Sequence, residues 1–185
     1  MLNKYAINKM VMKMKIQIIG YSGSGKSKLA KLLSKHYNIP ALHLDSINFL
    51  PNWRERPRDE FNNIVKEFIE NNDSWIIDGT YSSVARERYE MADLIIFLNY
   101  NRFFCYRSAK KRAKAYKNKT RPDMAEGCQE KFDKEFRRWI LFEGRTKKRR
   151  MKYKELCKMG KSYLVFKNRK ALHKYLEALC ISCEK

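Results

Sequence analysis

Gly20-Tyr21-Ser22-Gly23-Ser24-Gly25-Lys26-Ser27 is the stretch that decides the fold of this chain. It satisfies G-x-x-x-x-G-K-[ST], a loop whose backbone N–H groups wrap the phosphates of a nucleoside triphosphate. In such a loop the lysine reaches the β- and γ-phosphates, and the hydroxyl residue sits on Mg²⁺. All eight residues are therefore candidate nucleotide ligands, and Ser27 is also a candidate metal ligand. The flanks give the motif the setting it needs. Lys15-Ile16-Gln17-Ile18-Ile19 reads as a buried strand, and Lys26 to Tyr37 is periodic as a helix, with Leu29, Leu32, Leu33 and Tyr37 on one stripe.

Working outward, strand and helix patterns alternate, which predicts an α/β domain with a mostly parallel sheet. Ala41-Leu42-His43-Leu44 is a second strand closed by Asp45, and residues 46–57 read as irregular. Phe61, Ile64, Val65, Phe68 and Ile69 carry a helical stripe. Trp75-Ile76-Ile77-Asp78 is a third strand. Leu94-Ile95-Ile96-Phe97-Leu98 is a fourth, wholly apolar and so expected to be covered on both faces. Tyr163-Leu164-Val165-Phe166 is the fifth, and Asn168 is placed to cap the last helix. Residues 101–160 lie between strands four and five and are expected to protrude from the strands' C-terminal edge as a helical lid. Residues 1–13 read as an extension, because Met14-Lys15-Ile16 would be a natural start for a strand-first protein; they are expected to be poorly ordered or to follow from an upstream start codon. Residues 14–185 then form one domain.

At 185 residues, with 44% hydrophobic and 13% aromatic residues, the chain is expected to bury a sizeable core. No stretch approaches the ~20 apolar residues of a membrane helix, and no continuous apolar leader is legible. Five scattered cysteines suit a reducing cytoplasm better than a disulfide framework. Cys180 and Cys183 form one C-x-x-C without the second pair that a zinc site wants; small residues at a helix end account for them.

Lys and Arg number 41 against 20 Asp and Glu, a net charge of +21. The excess is concentrated: Arg107 to Arg121 holds eight basic residues and no acid, and a second run spans Arg145 to Lys154. Three readings stay open: solvated helix faces, a basic lid closing over nucleotide phosphates, and a nucleic-acid surface. No helix-turn-helix, finger or RNP signature accompanies the third.

Ligands of open α/β sheets bind beyond the C-terminal ends of the strands. Asp45 and Asp78 both stand there. Asp78 closes an apolar run and is a candidate for Mg²⁺, directly or through water; the alternative is a turn-capping aspartate before Gly79. Asp45 is a candidate for orienting an acceptor hydroxyl or taking its proton, for the Mg²⁺ shell, or simply for capping a helix. His43 reads as a packed histidine or a base. Phosphoryl transfer needs cations on the transferring group. Arg102, Arg107 and Arg145, with Arg137 and Arg138, are the candidates, while Arg54, Arg56 and Arg58 are placed to hold an acceptor's anionic group.

The phosphate-loop class narrows by exclusion. Asn118-Lys119-Thr120-Arg121 starts the guanine motif N-K-x-D but ends on Arg, and no D-x-x-G follows. No transporter signature loop is present, and Lys28 occupies the third glycine position of the G-x-G-x-x-G fingerprint. ATP is the expected nucleotide, with Mg²⁺ as its cation.

The phosphate loop, His43-Leu44-Asp45, Trp75 to Ser83, Ala92 to Leu98, Thr120-Arg121-Pro122-Asp123-Met124 and Gly144-Arg145-Thr146-Lys147-Lys148 together resemble the DNA topology modulation protein (FlaR-type) family, one of the adenylate-kinase-like P-loop kinases. The resemblance implies a three-layer α/β/α fold, a five-strand parallel sheet of order 2-3-1-4-5, ATP with Mg²⁺ on Gly20–Ser27, and an arginine-bearing lid. It leaves the acceptor open. Adenylate kinases carry D-G-x-P-R after strand three, and here Tyr81-Ser82 replaces Pro-Arg. Two functions follow as expectations: a kinase of a small molecule, nucleoside or nucleotide, or a DNA-associated regulatory protein switched by nucleotide.

Overall fold

The computed structural model describes residues 13–181. Five parallel strands form the main sheet: β1 (Lys15–Gly20), β2 (Ala41–His43), β5 (Trp75–Asp78), β6 (Leu94–Leu98) and β7 (Tyr163–Phe166). Two further strands, β3 (Phe49–Leu50) and β4 (Arg54–Glu55), make a small antiparallel hairpin. The sheet order is β2-β5-β1-β6-β7. With the hairpin strands left out of the numbering, this is the expected 2-3-1-4-5.

Every residue of β5 is buried, as are all but the first of β1 and β6. Successive side chains of a strand point to opposite faces, so both faces are covered. Helix α1 (Lys26–Tyr37) buries Leu29, Ala30 and Leu33, and Asn38 closes it in the left-handed conformation that a C-cap requires. Helix α3 (Arg58–Glu70) buries Phe61, Val65 and Ile69. Helix α8 (Arg169–Ala178) is capped by the Asn168 side chain, which accepts from the Ala171 N–H.

Two local expectations are corrected. Residues 46–57 are not irregular, since they hold the hairpin. Asp45 does not close a strand: β2 ends at His43, and Leu44–Asn48 form a short helix, α2, with Asp45 in its first turn. The Ser46 hydroxyl donates to the His43 carbonyl, which turns the chain there.

Between β6 and β7 lie α5 (Arg102–Ala115), α6 (Lys134–Leu141) and α7 (Lys147–Cys157), with short α4 (Arg88–Met91) earlier in the chain. This insert does not stand off the sheet. The Tyr153 hydroxyl on α7 donates to the Gly20 carbonyl, and its ring stacks on Phe97 of β6. The irregular stretch after α5 is tied to the hairpin region. Asn52 N–H donates to the Gly127 carbonyl, Trp53 Nε1 to that of Gln129 at 2.9 Å, and the Cys128 thiol to that of Leu50.

Of the expected extension, residues 1–13, only Lys13 falls within the described residues, where it ion-pairs with Asp73. Cys183 lies outside them, while Cys180 is exposed and free. Among the described residues no helix is long and apolar enough to cross a membrane.

Candidate active site

The phosphate loop joins β1 to α1 through three glycines with positive φ: Gly20, Gly23 and Gly25. Gly23 has a second reason to be glycine. A Cβ there would lie 2.3 Å from the Cys105 carbonyl oxygen of α5. The loop can therefore pass under α5 only without a side chain at this position. Tyr21 is held edge-on to Tyr153 and beneath the Arg145 guanidinium, 3.7 Å from its ring centroid. Lys26 Nζ rests on the Tyr21 carbonyl at 3.4 Å, a long contact.

A cleft of about 1200 Å³ opens from this loop. Lys26, Ser27 and Lys31 line it together with Asp45, Phe49, Trp53, Glu55, Arg58 and Tyr81. The Tyr81 hydroxyl donates to Asp45 Oδ1 at 2.8 Å. Burial first, and then the negative charges of Asp45, Glu55 and Asp78, push the Tyr81 phenol far above its usual range, so it stays a donor. Arg58 donates to the Ser83 hydroxyl. Phe49 and Trp53 meet edge to face, and Lys131 of the lid lies over Trp53.

The loop that follows β5 is held from below. Arg88 is fully buried and donates to the Val84, Ala85, Thr80 and Tyr81 carbonyls and, through Nε, to Gln17 Oε1 at 2.8 Å. The Gln17 amide in turn donates to the Ile77 and Gly79 carbonyls. A polar residue in the central strand and a buried arginine thus fix where Thr80 and Tyr81 face the cleft.

The roof of the cleft is a charged ladder. Glu130 ion-pairs with Arg112 at 2.8 Å and with Arg121. Arg121 Nη1 donates to Asp123 Oδ2 at 2.9 Å, and Lys31 of α1 lies 4.0 Å from Asp123 Oδ1. Burial pushes the Asp123 carboxyl up, but Arg121, Lys31 and Ser27 outweigh it and hold it below its ordinary 3.8. Its contribution to stability is therefore present above that value and lost as pH falls through the lower folded one.

The residues singled out in the sequence are distributed as follows. Gly20 to Gly23, Gly25 to Ser27 and Asp45 line the cleft, and Ser24 is buried within the loop. Asp78 does not line it: it is 4% exposed, with Oδ2 on His43 Nδ1 at 3.1 Å and Oδ1 buried without a partner. Arg102 lies over Phe142, and Arg107 is exposed on α5. Arg145 donates to the Ile140 and Tyr100 carbonyls and stacks on Tyr21, so it fastens the lid to the loop. Arg112, Arg121, Asp123 and Tyr81 went unselected in the sequence reading. The break of a basic helix at Thr120-Arg121-Pro122-Asp123 was the signal for two of them.

The donor set fits Mg²⁺. The Ser27 hydroxyl, Asp45 and Asp123 put hard oxygen ligands on one cleft, and Asp78 keeps one oxygen unbonded. Among the described residues no group of three His, Cys, Asp or Glu forms a metal cage.

Sheet order, phosphate loop and insert define the P-loop kinase fold. The chain superposes on a shikimate kinase from Bacteroides thetaiotaomicron with a TM-score of 0.51 and 18% identity, over 90% of this chain and 98% of that one. A deoxyadenosine kinase from M. mycoides, solved with product nucleotides, covers the same shares at a TM-score of 0.49 and 12% identity. Comparison with protein-family profiles and with curated protein sequences gives no match.

Proposed function

We propose that this protein is an ATP-dependent phosphotransferase that moves the γ-phosphoryl group of ATP to a hydroxyl of a small acceptor. One observation carries the reading: a single cleft is lined both by a complete phosphate loop and by the hydrogen-bonded Asp45–Tyr81 pair. The backbone N–H groups of Gly20 to Ser27 would hold the β- and γ-phosphates, with Lys26 on the γ-phosphate. Mg²⁺, held through Ser27 and a nearby carboxylate, would neutralise charge on the phosphates. Asp45 would orient the acceptor hydroxyl and take its proton, and Tyr81, by donating to Oδ1, would hold the carboxylate so that its other oxygen faces the acceptor.

The acceptor end favours an uncharged hydroxylated molecule with a flat ring, such as a nucleoside. Asp45, Glu55 and Asp78 surround Tyr81 with negative charge, and the guanidinium on that side, Arg58, is engaged by Ser83. The Phe49–Trp53 pair offers an aromatic wall. The arginine that binds the acceptor phosphate in adenylate kinases has no counterpart at Ser82, which argues against a nucleoside monophosphate. The resemblance to the FlaR-type family supports the donor half of this reading, and the free thiols of Cys105, Cys128 and Cys157 support a cytoplasmic setting.

The test is an ATP-consumption screen across nucleosides, nucleoside monophosphates, sugars and small acids, with Asp45→Asn as control. Turnover on a nucleoside that Asp45→Asn abolishes is the expected result. No stimulated consumption by any class would sink the phosphotransferase reading.

A DNA-associated protein switched by nucleotide is the second reading. It is supported by the exposed basic run Lys147, Lys148, Arg149 and Arg150 on α7. It requires DNA affinity that changes when ATP binds. Binding that ignores ATP and vanishes near physiological salt would reflect charge alone.

A further inference from the structure

We propose that Trp53 is a positioning residue that latches the acceptor-side hairpin to the lid, so that the aromatic wall for the acceptor is set only while the lid covers the cleft. The inference rests on the reading of the cleft as a phosphotransferase site with its acceptor against Phe49 and Trp53.

The first observation is conformational. Asn52 and Trp53 both have positive φ, +63° and +62°. Asparagine tolerates the left-handed region, but a bulky side chain there is an outlier. Such a residue persists where its surroundings over-determine it, and strain of this kind collects at functional sites. Phe49 meets the Trp53 ring edge to face from within the hairpin. The lid holds the rest: Trp53 Nε1 donates to the Gln129 carbonyl at 2.9 Å, and Lys131 Nζ lies 5.7 Å from the ring centroid.

The second observation is where the lid is gripped. Thr120 and Gln129 form an antiparallel bridge, and the Glu130 N–H donates to the Lys119 carbonyl at 3.1 Å. Residues 120–129 are therefore a loop closed at its base, and Trp53 takes hold of that base. The next residue, Glu130, carries the ion pairs to Arg112 and Arg121 that roof the cleft. One hydrogen bond thus joins the acceptor wall to the charged ladder.

Two other contacts cross the same junction. The Asn52 N–H reaches the Gly127 carbonyl at 3.3 Å, and the Cys128 thiol donates to the Leu50 carbonyl. The first is long and a thiol is a weak donor, so the Trp53 bond is the strongest of the three. A roof over a cleft must part to admit ligands. When it parts, the indole loses its partner and the left-handed backbone is free to relax, which lets the wall turn away. Coupling of this kind is reciprocal: what a donor nucleotide does to the hairpin, an acceptor does to the lid.

The test is hydrogen–deuterium exchange on peptides covering residues 49–56 and 119–131, without ligand and with Mg²⁺·ATP. Wild type is compared with Trp53→Phe, which keeps an aromatic ring but loses the indole N–H, and with Trp53→Asn, which suits the left-handed backbone and keeps the turn. Without ligand, both variants should exchange about 3-fold or more faster in both peptides, the effect of one lost hydrogen bond, while peptides of α3 stay unchanged. Mg²⁺·ATP should slow both peptides in wild type. In the variants it should slow the lid peptide, and the hairpin peptide by less than half as much as in wild type. Variants that exchange like wild type, or a hairpin that Mg²⁺·ATP slows equally in all three proteins, would overturn the latch. Calorimetry on the same samples separates the two readings. Mg²⁺·ATP that binds wild type yet leaves its hairpin unchanged overturns the latch alone. Mg²⁺·ATP that does not bind overturns the phosphotransferase reading, and the ligand-free comparison still decides the latch.

Discussion

On the proposed function, the donor end of the cleft is one continuous loop shaped by Gly20, Gly23 and Gly25, whereas the acceptor end is built from side chains of separate segments: Asp45 from α2, Trp53 from the hairpin, Arg58 from α3, and Tyr81 from the loop after β5. The first would recognise phosphate, a ligand common to many reactions, through the main chain. The second would have to recognise one acceptor with residues that only tertiary structure assembles. The donor end would then be rigid and general, and the acceptor end specific and dependent on support from beneath.

That contrast can be broken at several points. The largest effect is expected for Arg88→Met, which removes the buried guanidinium under the acceptor end and leaves Gln17 and several carbonyls unpaired. A loss of about 4 kcal/mol in urea unfolding is expected, because several buried acceptors are left unpaired at about 1–3 kcal/mol each. A loss under about 1 kcal/mol would mean that the loop after β5 is held by something else.

Gly23→Ala attacks the donor end. Its φ of +79° and the approach to the Cys105 carbonyl make a cost of about 3 kcal/mol the expectation. Gly25→Ala has open space around the new Cβ and should cost only about 1–2 kcal/mol of backbone strain. Equal losses in the two variants would show that packing under α5 is not what constrains the loop.

Asp45→Asn sharpens the comparison because it should separate the two ends. On an acceptor found by the screen, turnover should fall about 100-fold or more, while the affinity for Mg²⁺·ATP stays within about 2-fold. A matching fall in ATP affinity would place Asp45 at the donor end instead. The smallest effect belongs to Arg107→Ala. Exposed on α5, it should shift stability by no more than about 0.5 kcal/mol and leave ATP binding unchanged.

The same contrast explains what the sequence made legible. The phosphate loop is eight contiguous residues with a fixed spacing, and the five main strands are runs of apolar residues, so both can be read along the chain. The sheet order followed from the FlaR-type resemblance that those residues carried. The hairpin of Phe49–Leu50 with Arg54–Glu55 escaped because each strand is two residues long, too short for an alternation to register. Arg88 escaped because its partners are backbone carbonyls, which leave no trace in residue types. Arg112 was hidden inside a basic run, where charge alone marks no residue above its neighbours, and Arg121 and Asp123 were marked only by the break at Thr120-Arg121-Pro122-Asp123. His43, read as packed or as a base, pairs with Asp78, a contact across β2 and β5 that their register makes direct.

The most direct test of the account is calorimetric titration of ATP in excess Mg²⁺ against wild type and Lys26→Ala. Loss of a charged contact to phosphate should weaken binding about 30-fold or more in the variant. Equal affinity in the two proteins would contradict the claim that Gly20–Ser27 is the nucleotide site.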